Sequence, residues 1–174
     1  MKISLPASLT YTSLSPKNGR ELRPCMRLAV DASTLIAEVL RARGRKLLEH
    51  ADLDLVLATE TWEETEHELR KRTILLAQRG SLSEAQAAQL LAEALALIAA
   101  RVTLVPPDLY VGQVAEAQRR ILRDPRDAPT VALALTLDCG IWTGDYDFFG
   151  CGLPVWTTET LQLHLTHLAA RPGA

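Results

Sequence analysis

Residues 123–148 read RDPRDAPTVALALTLDCGIWTGDYDF. Asp127 stands two positions before Pro129, and a proline is tolerated in the first turn of a helix because its missing N–H has no partner there in any case. Asp is also among the best residues to cap a helix. The apolar run at 131–137 therefore indicates a buried helix that begins at Asp127.

A short strand pattern follows this helix at 140–143 and leads into Gly144 and Asp145. Asp147 comes two positions later, in a setting that is also typical of a turn. The stretch thus predicts one carboxylate at the start of a helix and two more just past the end of the next strand. Acidic partners for these carboxylates would indicate a site.

The composition sets broad limits on the function. The chain of 174 residues suits one domain, and its net charge of −2 gives no overall attraction to nucleic acid, so such a contact needs a local basic patch or bound metal ions. Cys25, Cys139 and Cys151 show no paired spacing, which argues against a disulfide scaffold and fits a reducing cytosol. No apolar run reaches the roughly 18 residues of a membrane span. We therefore expect a cytoplasmic protein without membrane contact.

Short apolar strands alternate with helices along the chain. The predicted strands are 26–30, 53–58, 102–105, 141–143 and 154–156, and the predicted helices end near residues 43, 50, 72, 100, 122, 137 and 168. This alternation is typical of an α/β fold, and we predict three layers, with helices on both faces of a parallel sheet.

The first 25 residues differ from the rest of the chain. They are rich in Ser, Thr, Pro, Asn and Gly and lack a sustained apolar period. We predict a poorly ordered extension at 1–25 and one folded domain at 26–170, with Met26 as an alternative start of the protein.

Acidic residues occur where ligands bind in parallel α/β sheets, outside the carboxyl ends of the strands. Asp31 directly follows the first strand, Glu64 lies in the helix after the second strand, and Asp145 lies just past the fourth strand. Asp127 opens the helix that leads into the fourth strand. We therefore expect these four carboxylates to meet at one edge of the sheet.

Each acid also has an ordinary structural explanation. The aspartates suit helix caps or turns: Asp31, Asp124, Asp127, Asp145 and Asp147. Glu64 shares a helix face with Glu60 and Glu68, which on most helices is a solvated face. Stacked acids need neutralisation, which either a divalent cation or the basic run at 70–72 could supply.

A cluster of unpaired carboxylates is stabilised by a hard cation such as Mg²⁺ or Mn²⁺, which binds oxygen ligands and can activate water for displacement at phosphorus. Ser33 could cap a helix or hydrogen-bond to a metal-bound water. Zinc-ligand spacing, a P-loop and a Gly-x-Ser-x-Gly motif are absent from the sequence. Four arginines close to Asp127 could form a phosphate-binding patch or an exposed helix end: Arg119, Arg120, Arg123 and Arg126.

Taken together, these motifs resemble a PIN-domain ribonuclease of the broad group that includes VapC-like toxins. The matching motifs are Val30-Asp31-Ala32-Ser33, Glu64 after the second strand, and the stretches 123–127, 141–148 and 155–158. The resemblance covers about 26–168, and 124–148 is its most specific part. It implies a five-stranded parallel sheet of order 3-2-1-4-5, in which Asp31 and Asp145 face each other.

The resemblance also implies an activity and its residues. It implies Mg²⁺- or Mn²⁺-dependent cleavage of single-stranded RNA by a metal-binding catalytic quartet: Asp31, Glu64, Asp127 and Asp145. Ser33 matches a small polar residue beside the first Asp, and Asp147 and Asp124 match secondary acids. Glu68, one helical turn after Glu64, is the rival for the glutamate position.

The sequence is compatible with more than one kind of partner. The resemblance allows the toxin of a toxin–antitoxin pair, and we expect RNA as substrate, a homodimer and an antitoxin partner. The leucine-rich helix at 83–100 favours an alternative, a PIN-fold protein that acts through dimer or antitoxin contacts, unless its leucines pack internally. A metal-dependent DNA nuclease or phosphatase could use the same acids.

Overall fold

The computed structural model describes residues 25–170. The extension predicted at 1–25 lies outside the described residues except for Cys25. The strands are β1 (Met26–Val30), β2 (Leu53–Ala58), β3 (Val102–Val105), β4 (Gly140–Trp142) and β5 (Val155–Trp156). The α-helices are α1 (Ala32–Val39), α2 (Ala42–Leu48), α3 (Trp62–Gln78), α4 (Glu84–Arg101), α5 (Val114–Arg120), α6 (Ala128–Leu137) and α7 (Thr158–Ala169).

The five strands form one parallel sheet of order β3-β2-β1-β4-β5, so the predicted fold and strand order are confirmed. The chain moves outward from β1 to β3 and then returns to the other side of β1. The neighbours β1 and β4 therefore mark the switch point of the sheet, and Val30 at the end of β1 pairs with Trp142 at the end of β4.

Helices cover both faces of the sheet, as predicted, and each face has its own apolar core. Side chains alternate between faces along β1, so Leu28 belongs to one core and Ala29 to the other. The first core includes residues of α1–α4 and α7, and the second includes residues of α5 and α6. Within residues 25–170, no helix is both long and apolar enough to cross a membrane.

Helix α3 continues past the basic run at which the sequence predicted its end. Arg70 and Lys71 form ion pairs with Glu66 and Glu68 inside the helix, so the basic residues balance an acidic stretch instead of marking a terminus. The helix ends at Gln78, and Gly80 adopts a φ of 71°, which suits the turn into α4.

Two other helical boundaries differ from the sequence prediction. Helix α1 ends at Val39, before the predicted end near residue 43. The helix predicted to end near residue 122 consists of a short 3₁₀ turn, Val111–Gln113, and then α5, which ends at Arg120. The start of α4 is stabilised by a reciprocal capping box between Ser83 and Gln86.

Candidate active site

Asp31 joins the end of β1 to the start of α1. Its backbone N–H donates to the carbonyl oxygen of Trp142 at 3.0 Å, which continues the pairing with β4. Its carboxylate accepts from the backbone N–H groups of Ser33 at 3.4 Å and Thr34 at 3.3 Å, so the predicted helix cap is confirmed. The residue is 6% exposed, which makes it the most enclosed of the predicted site acids.

Three hydroxyl groups hold one oxygen of this carboxylate, and we call them the hydroxyl clamp: Ser33, Thr34 and Thr143. They donate to Oδ2 of Asp31 at 2.6, 3.1 and 3.2 Å, respectively. The other oxygen, Oδ1, accepts only the long bond from the Ser33 N–H among the described residues. The clamp therefore orients the carboxylate and leaves Oδ1 available to a ligand.

The hydroxyl clamp also fixes the backbone that leads to Asp145. The Oγ1 atom of Thr143 accepts from the Asp145 N–H at 2.9 Å, and the Oγ1 atom of Thr34 accepts from the Gly144 N–H at 2.9 Å. Because the same hydroxyls donate to Asp31, Asp31 and the β4 loop form one hydrogen-bonded unit. The sequence analysis missed Thr34 and Thr143. The signal for Thr143 was a hydroxyl directly after β4, the strand that pairs with β1.

Asp145 lies on the exposed side of this unit. It opens the 3₁₀ turn Tyr146–Phe148, and its Oδ1 accepts from the Asp147 N–H at 2.9 Å. Asp147 in turn accepts from Nη1 of Arg123 at 2.6 Å. Asp145 therefore faces outward, whereas Asp147 is engaged by an arginine.

Asp127 stands at the cap position of α6, but its side chain makes no capping hydrogen bond, so the predicted capping role is wrong. A cap residue needs an extended backbone, and Asp127 has a helical one (φ −83°, ψ −10°) because it ends the 3₁₀ turn Pro125–Asp127. Asp124 caps that turn instead, by accepting from the Arg126 N–H at 3.0 Å. The carboxylate of Asp127 is thus left for another role.

The pKa of Asp127 shows that the other acids lie around it. This pKa is raised to about 6, first by burial and then by the negative charges of Asp31, Asp124, Asp145 and Asp147. The charges of Asp31 and Asp145, which follow β1 and β4, therefore both act on the carboxylate of Asp127.

The glutamates of the α3 region have different partners. Glu60 accepts from the hydroxyl of Tyr110 at 3.0 Å, and Glu68 forms an ion pair with Lys71 at 3.0 Å, which lowers the pKa of Glu68. Glu64 is exposed in the first turn of α3. Two of the three stacked glutamates thus have structural partners, which favours Glu64 over Glu68 as the site glutamate.

Glu64 also lies on the same side as the aspartates. The pKa of Arg126 is raised first by its hydrogen bonds to Asp124 and then by the charges of Asp124, Glu64 and Asp127. The guanidinium of Arg126 therefore interacts electrostatically with Glu64 in α3 and with Asp127 at the start of α6. This shared neighbour places Glu64 towards the acids around Asp127.

The four predicted RNA-contacting arginines divide into two pairs. Arg119 and Arg120 both bind Glu116 on their own helix. Arg123 binds Asp147, and Arg126 donates two bonds to Asp124 at 3.1 and 2.8 Å. Only the second pair therefore lies against acids of the candidate site.

The donor set suits a hard cation, but the side chains do not form a closed ligand shell. Within residues 25–170, no group of three or more His, Cys, Asp or Glu side chains is arranged to hold a metal ion. Carboxylates that repel each other are expected to stand apart without a counter-ion. The oxygen ligands, the available Oδ1 of Asp31 and the raised pKa of Asp127 nonetheless fit Mg²⁺ or Mn²⁺.

A sequence model described as the PIN domain matches residues 29–166. The chain belongs to the PIN-domain family. The match spans the hydroxyl clamp, all four predicted quartet acids and all five strands except the first residues of β1. The resemblance inferred from the sequence is therefore confirmed, and with it a family whose members are generally nucleases.

Two solved structures are similar to this PIN domain, and the first shares its fold. PAE2754 from Pyrobaculum aerophilum has a TM-score of 0.56 and 22% sequence identity, over 84% of this chain and 92% of that chain. FitAcB from Neisseria gonorrhoeae has a TM-score of 0.48 and 22% identity, over 76% of this chain and 98% of that chain. A search of curated proteins finds no significant match.

Proposed function

We propose that this PIN domain is a Mg²⁺- or Mn²⁺-dependent endoribonuclease that cleaves phosphodiester bonds of single-stranded RNA. The observation that carries the proposal is Asp127, whose pKa is raised to about 6 by burial and by the charges of four aspartates, of which Asp31 and Asp145 follow the carboxyl ends of β1 and β4. Perturbed acids in such a position are typical of functional sites. An enzyme that acts on cellular RNA is expected in the cytoplasm.

The proposed roles follow from the contacts of each acid. Asp31, Asp127 and Asp145 would hold the cation, and Glu64 would bind it or orient the attacking water. When bound, such a cation activates water and stabilises charge on the oxygens of an in-line displacement. The hydroxyl clamp keeps Asp31 and the backbone of Asp145 in one fixed arrangement, so these ligands need little reorganisation.

Two arginines of the site could contact the RNA backbone. The side chains of Arg123 and Arg126 are each 81% exposed and are bound to Asp147 and Asp124. RNA phosphates would compete with these two carboxylates for the guanidinium groups. Asp147 and Asp124 would then act as secondary acids that position arginines near the substrate.

Exposed aromatic rings favour a single-stranded substrate. Tyr146 is 83% exposed and Phe149 is 48% exposed, and their ring centroids are 5.7 Å apart. Tyr146 directly follows Asp145 and Phe149 comes three positions later, and unpaired bases stack on exposed rings of this kind. Bases in a duplex are stacked on each other and are not available for this contact.

The double variant Asp31→Asn/Asp145→Asn tests the proposed activity. It should abolish Mn²⁺-dependent cleavage of a mixed RNA pool and leave the circular dichroism spectrum unchanged. Asp138→Asn is the matched control, because Asp138 lies before β4, at the opposite edge of the sheet. Unchanged cleavage by the double variant would refute the proposal, and cleavage of DNA or a phosphomonoester alone would favour the alternative substrates.

A groove between α3 and α4 favours a second function in binding. It has a volume of about 370 Å³ and is lined by Thr73, Ile74, Ala77 and Leu91, among others, and Ile74 is 55% exposed. We propose that this face contacts a second copy of the chain or an antitoxin. Other leucines of α4, Leu95 and Leu97, pack against the core, which limits the available surface. A monomer with full activity would count against this second function.

A further inference from the structure

Tyr110 is a buried tyrosine whose hydroxyl forms a hydrogen bond with a distant part of the chain. It lies between the 3₁₀ turns Pro107–Leu109 and Val111–Gln113, which follow β3, and it is 1% exposed. Its hydroxyl donates to Oε2 of Glu60 at 3.0 Å, and the two residues are 50 positions apart in the sequence. A buried tyrosine hydroxyl needs a partner, and here the partner is an acid just past the end of β2.

The ring of Tyr110 is anchored in the core that supports α6. That core includes Ala58 at the end of β2, Val105 at the end of β3 and Ala128 at the start of α6. Helix α6 also packs against both 3₁₀ turns that flank Tyr110. Buried side chains in such a core are close-packed, so the packing that fixes the Tyr110 hydroxyl also fixes the residue directly after Asp127.

The start of α3 carries Glu64, four positions after Glu60. Two threonine hydroxyls of this segment donate to carbonyl oxygens only three and four positions earlier, so these bonds are local. Within the described residues, the contact with Tyr110 is the one side-chain hydrogen bond that joins residues 59–66 to a distant part of the chain. This contact therefore connects the segment that carries Glu64 to the core beneath α6.

We propose that Tyr110 is a positioning residue for Glu64: its hydroxyl holds Glu60 and thereby fixes the first turn of α3 relative to the start of α6. Glu60 lies about one helical turn before Glu64, so a contact at Glu60 constrains the backbone that carries Glu64. Precise placement matters at such a site, because a shift of about 1 Å can lower a reaction rate about 100-fold. The inference rests on the proposed ribonuclease function, in which Glu64 binds the cation or orients the attacking water.

The contact also distinguishes two neighbouring acids. Glu60 and Glu64 are spaced about one turn apart, and like charges at this spacing repel each other. The hydrogen bond directs the carboxylate of Glu60 to Tyr110, which satisfies it inside the protein. Glu64 is thus the acid of this pair that is left for the site.

Tyr110→Phe tests the proposal, because it removes the hydroxyl and keeps the buried ring. We expect kcat for Mn²⁺-dependent RNA cleavage to fall about tenfold and KM for RNA to stay within about twofold, since Glu64 is displaced while the contacts to RNA are kept. Thr136→Val is the control, because it removes a hydroxyl hydrogen bond to Ala132 within α6, and it should leave kcat unchanged. An unchanged kcat in Tyr110→Phe would overturn the inference.

A double-mutant cycle tests whether Tyr110 acts through Glu64. Tyr110→Phe should lower the single-turnover rate about tenfold in the unaltered protein but less than about twofold in a Glu64→Gln background, because the group through which it acts is then absent. Equal factors in the two backgrounds would overturn the role assigned to Tyr110. If cleavage by Glu64→Gln is too slow to measure, substitutions of Glu60 decide.

Glu60 tests the same contact from the other side. Glu60→Ala removes the acceptor and should reproduce the effect of Tyr110→Phe, whereas Glu60→Gln keeps an oxygen acceptor and should recover most of the rate. Equal rates for the two Glu60 variants would overturn the contact. Because Glu60 is exposed, these variants also replace Tyr110→Phe if that protein does not fold.

Hydrogen exchange gives a result that does not depend on cleavage. By mass spectrometry, residues 59–66 should take up deuterium about threefold faster in Tyr110→Phe than in the unaltered protein or in Thr136→Val. Unchanged exchange in this segment would overturn the inference, whether or not the protein cleaves RNA. Faster exchange in a protein that cleaves no RNA would refute the ribonuclease and retain the anchoring of α3, whereas RNA cleavage with an unchanged kcat in Tyr110→Phe would refute the inference alone.

Discussion

Asp31 and Asp127 are both predicted to bind the same cation, but their surroundings are opposite. Asp31 accepts five hydrogen bonds, three of them from the hydroxyl clamp. The carboxylate of Asp127 accepts none within the described residues, and burial together with neighbouring negative charges raises its pKa to about 6. The fold thus stabilises one acid by itself and leaves the other to be stabilised by a ligand.

This difference suggests how the site combines stability with function. Hydrogen bonds to a charged acceptor are strong, so the hydroxyl clamp fixes Asp31 and the end of β4 before any ligand arrives. Repulsion between Asp127 and the neighbouring aspartates opposes folding, but it favours the binding of a cation at this site. Strained acids at a functional site are expected when the rest of the fold is stable enough to hold them.

Breaking the hydroxyl clamp should have the largest effect on stability. Thr143→Val keeps the shape of a fully buried side chain but removes the donor to Asp31 and the acceptor for the Asp145 N–H. We expect a loss of about 2 kcal/mol in the free energy of unfolding, because two polar groups lose their partner. Urea denaturation measures this loss.

Thr136→Val is the control for the clamp variant. The Thr136 hydroxyl donates only to the carbonyl oxygen of Ala132 in its own helix, so its removal should cost less than about 0.5 kcal/mol. Equal effects of the two substitutions would show that the clamp has no special role.

Asp127→Asn should stabilise the protein without divalent cations. The folded pKa of about 6 lies above the ordinary value of 3.8, so ionisation opposes folding, and stability is lost as pH rises from about 4 to 6. After discounting for solvent screening, we expect a gain of about 1 kcal/mol at pH 7.5 in EDTA and none at pH 4. Thermal unfolding at both pH values measures the gain. A loss of stability at pH 7.5 would contradict the repulsion described around Asp127.

Arg123→Gln should have the smallest effect on stability, below about 0.5 kcal/mol, because its pair with Asp147 is exposed. If Arg123 contacts a phosphate, the salt dependence of RNA binding should fall, by about 0.7 in the slope of log K against log salt concentration. Arg119→Gln is the control, since Arg119 pairs with Glu116 away from the acids. Equal salt slopes for the two variants would remove Arg123 from the RNA-binding surface.

Local patterns explain why much of the fold was predictable. The cap at Asp31 follows from a carboxylate before a helix, and the strand pattern at β4 follows from a short apolar run. The strand order came from the resemblance to PIN domains and was confirmed by the sheet. These features depend on neighbouring residues or on motifs that a family shares.

Long-range contacts explain what the sequence did not show. Thr143 and Asp31 are 112 positions apart, and no local pattern joins a strand-end hydroxyl to a distant carboxylate. The side chain of Asp127 does not cap α6 because the preceding 3₁₀ turn gives it a helical backbone. Tyr110 and Glu60 are 50 positions apart, and only the contact between their side chains relates Tyr110 to the start of α3.

The pKa of Asp127 with and without a divalent cation tests the central claim most directly. Carbon-13 NMR of the labelled carboxyl group, followed over pH, gives this value in EDTA and in excess Mg²⁺. The account predicts a pKa of about 6 in EDTA and a value below the ordinary 3.8 with Mg²⁺, because the cation stabilises the ionised form. The same pKa in both solutions would show that Asp127 does not share a cation with Asp31 and Asp145.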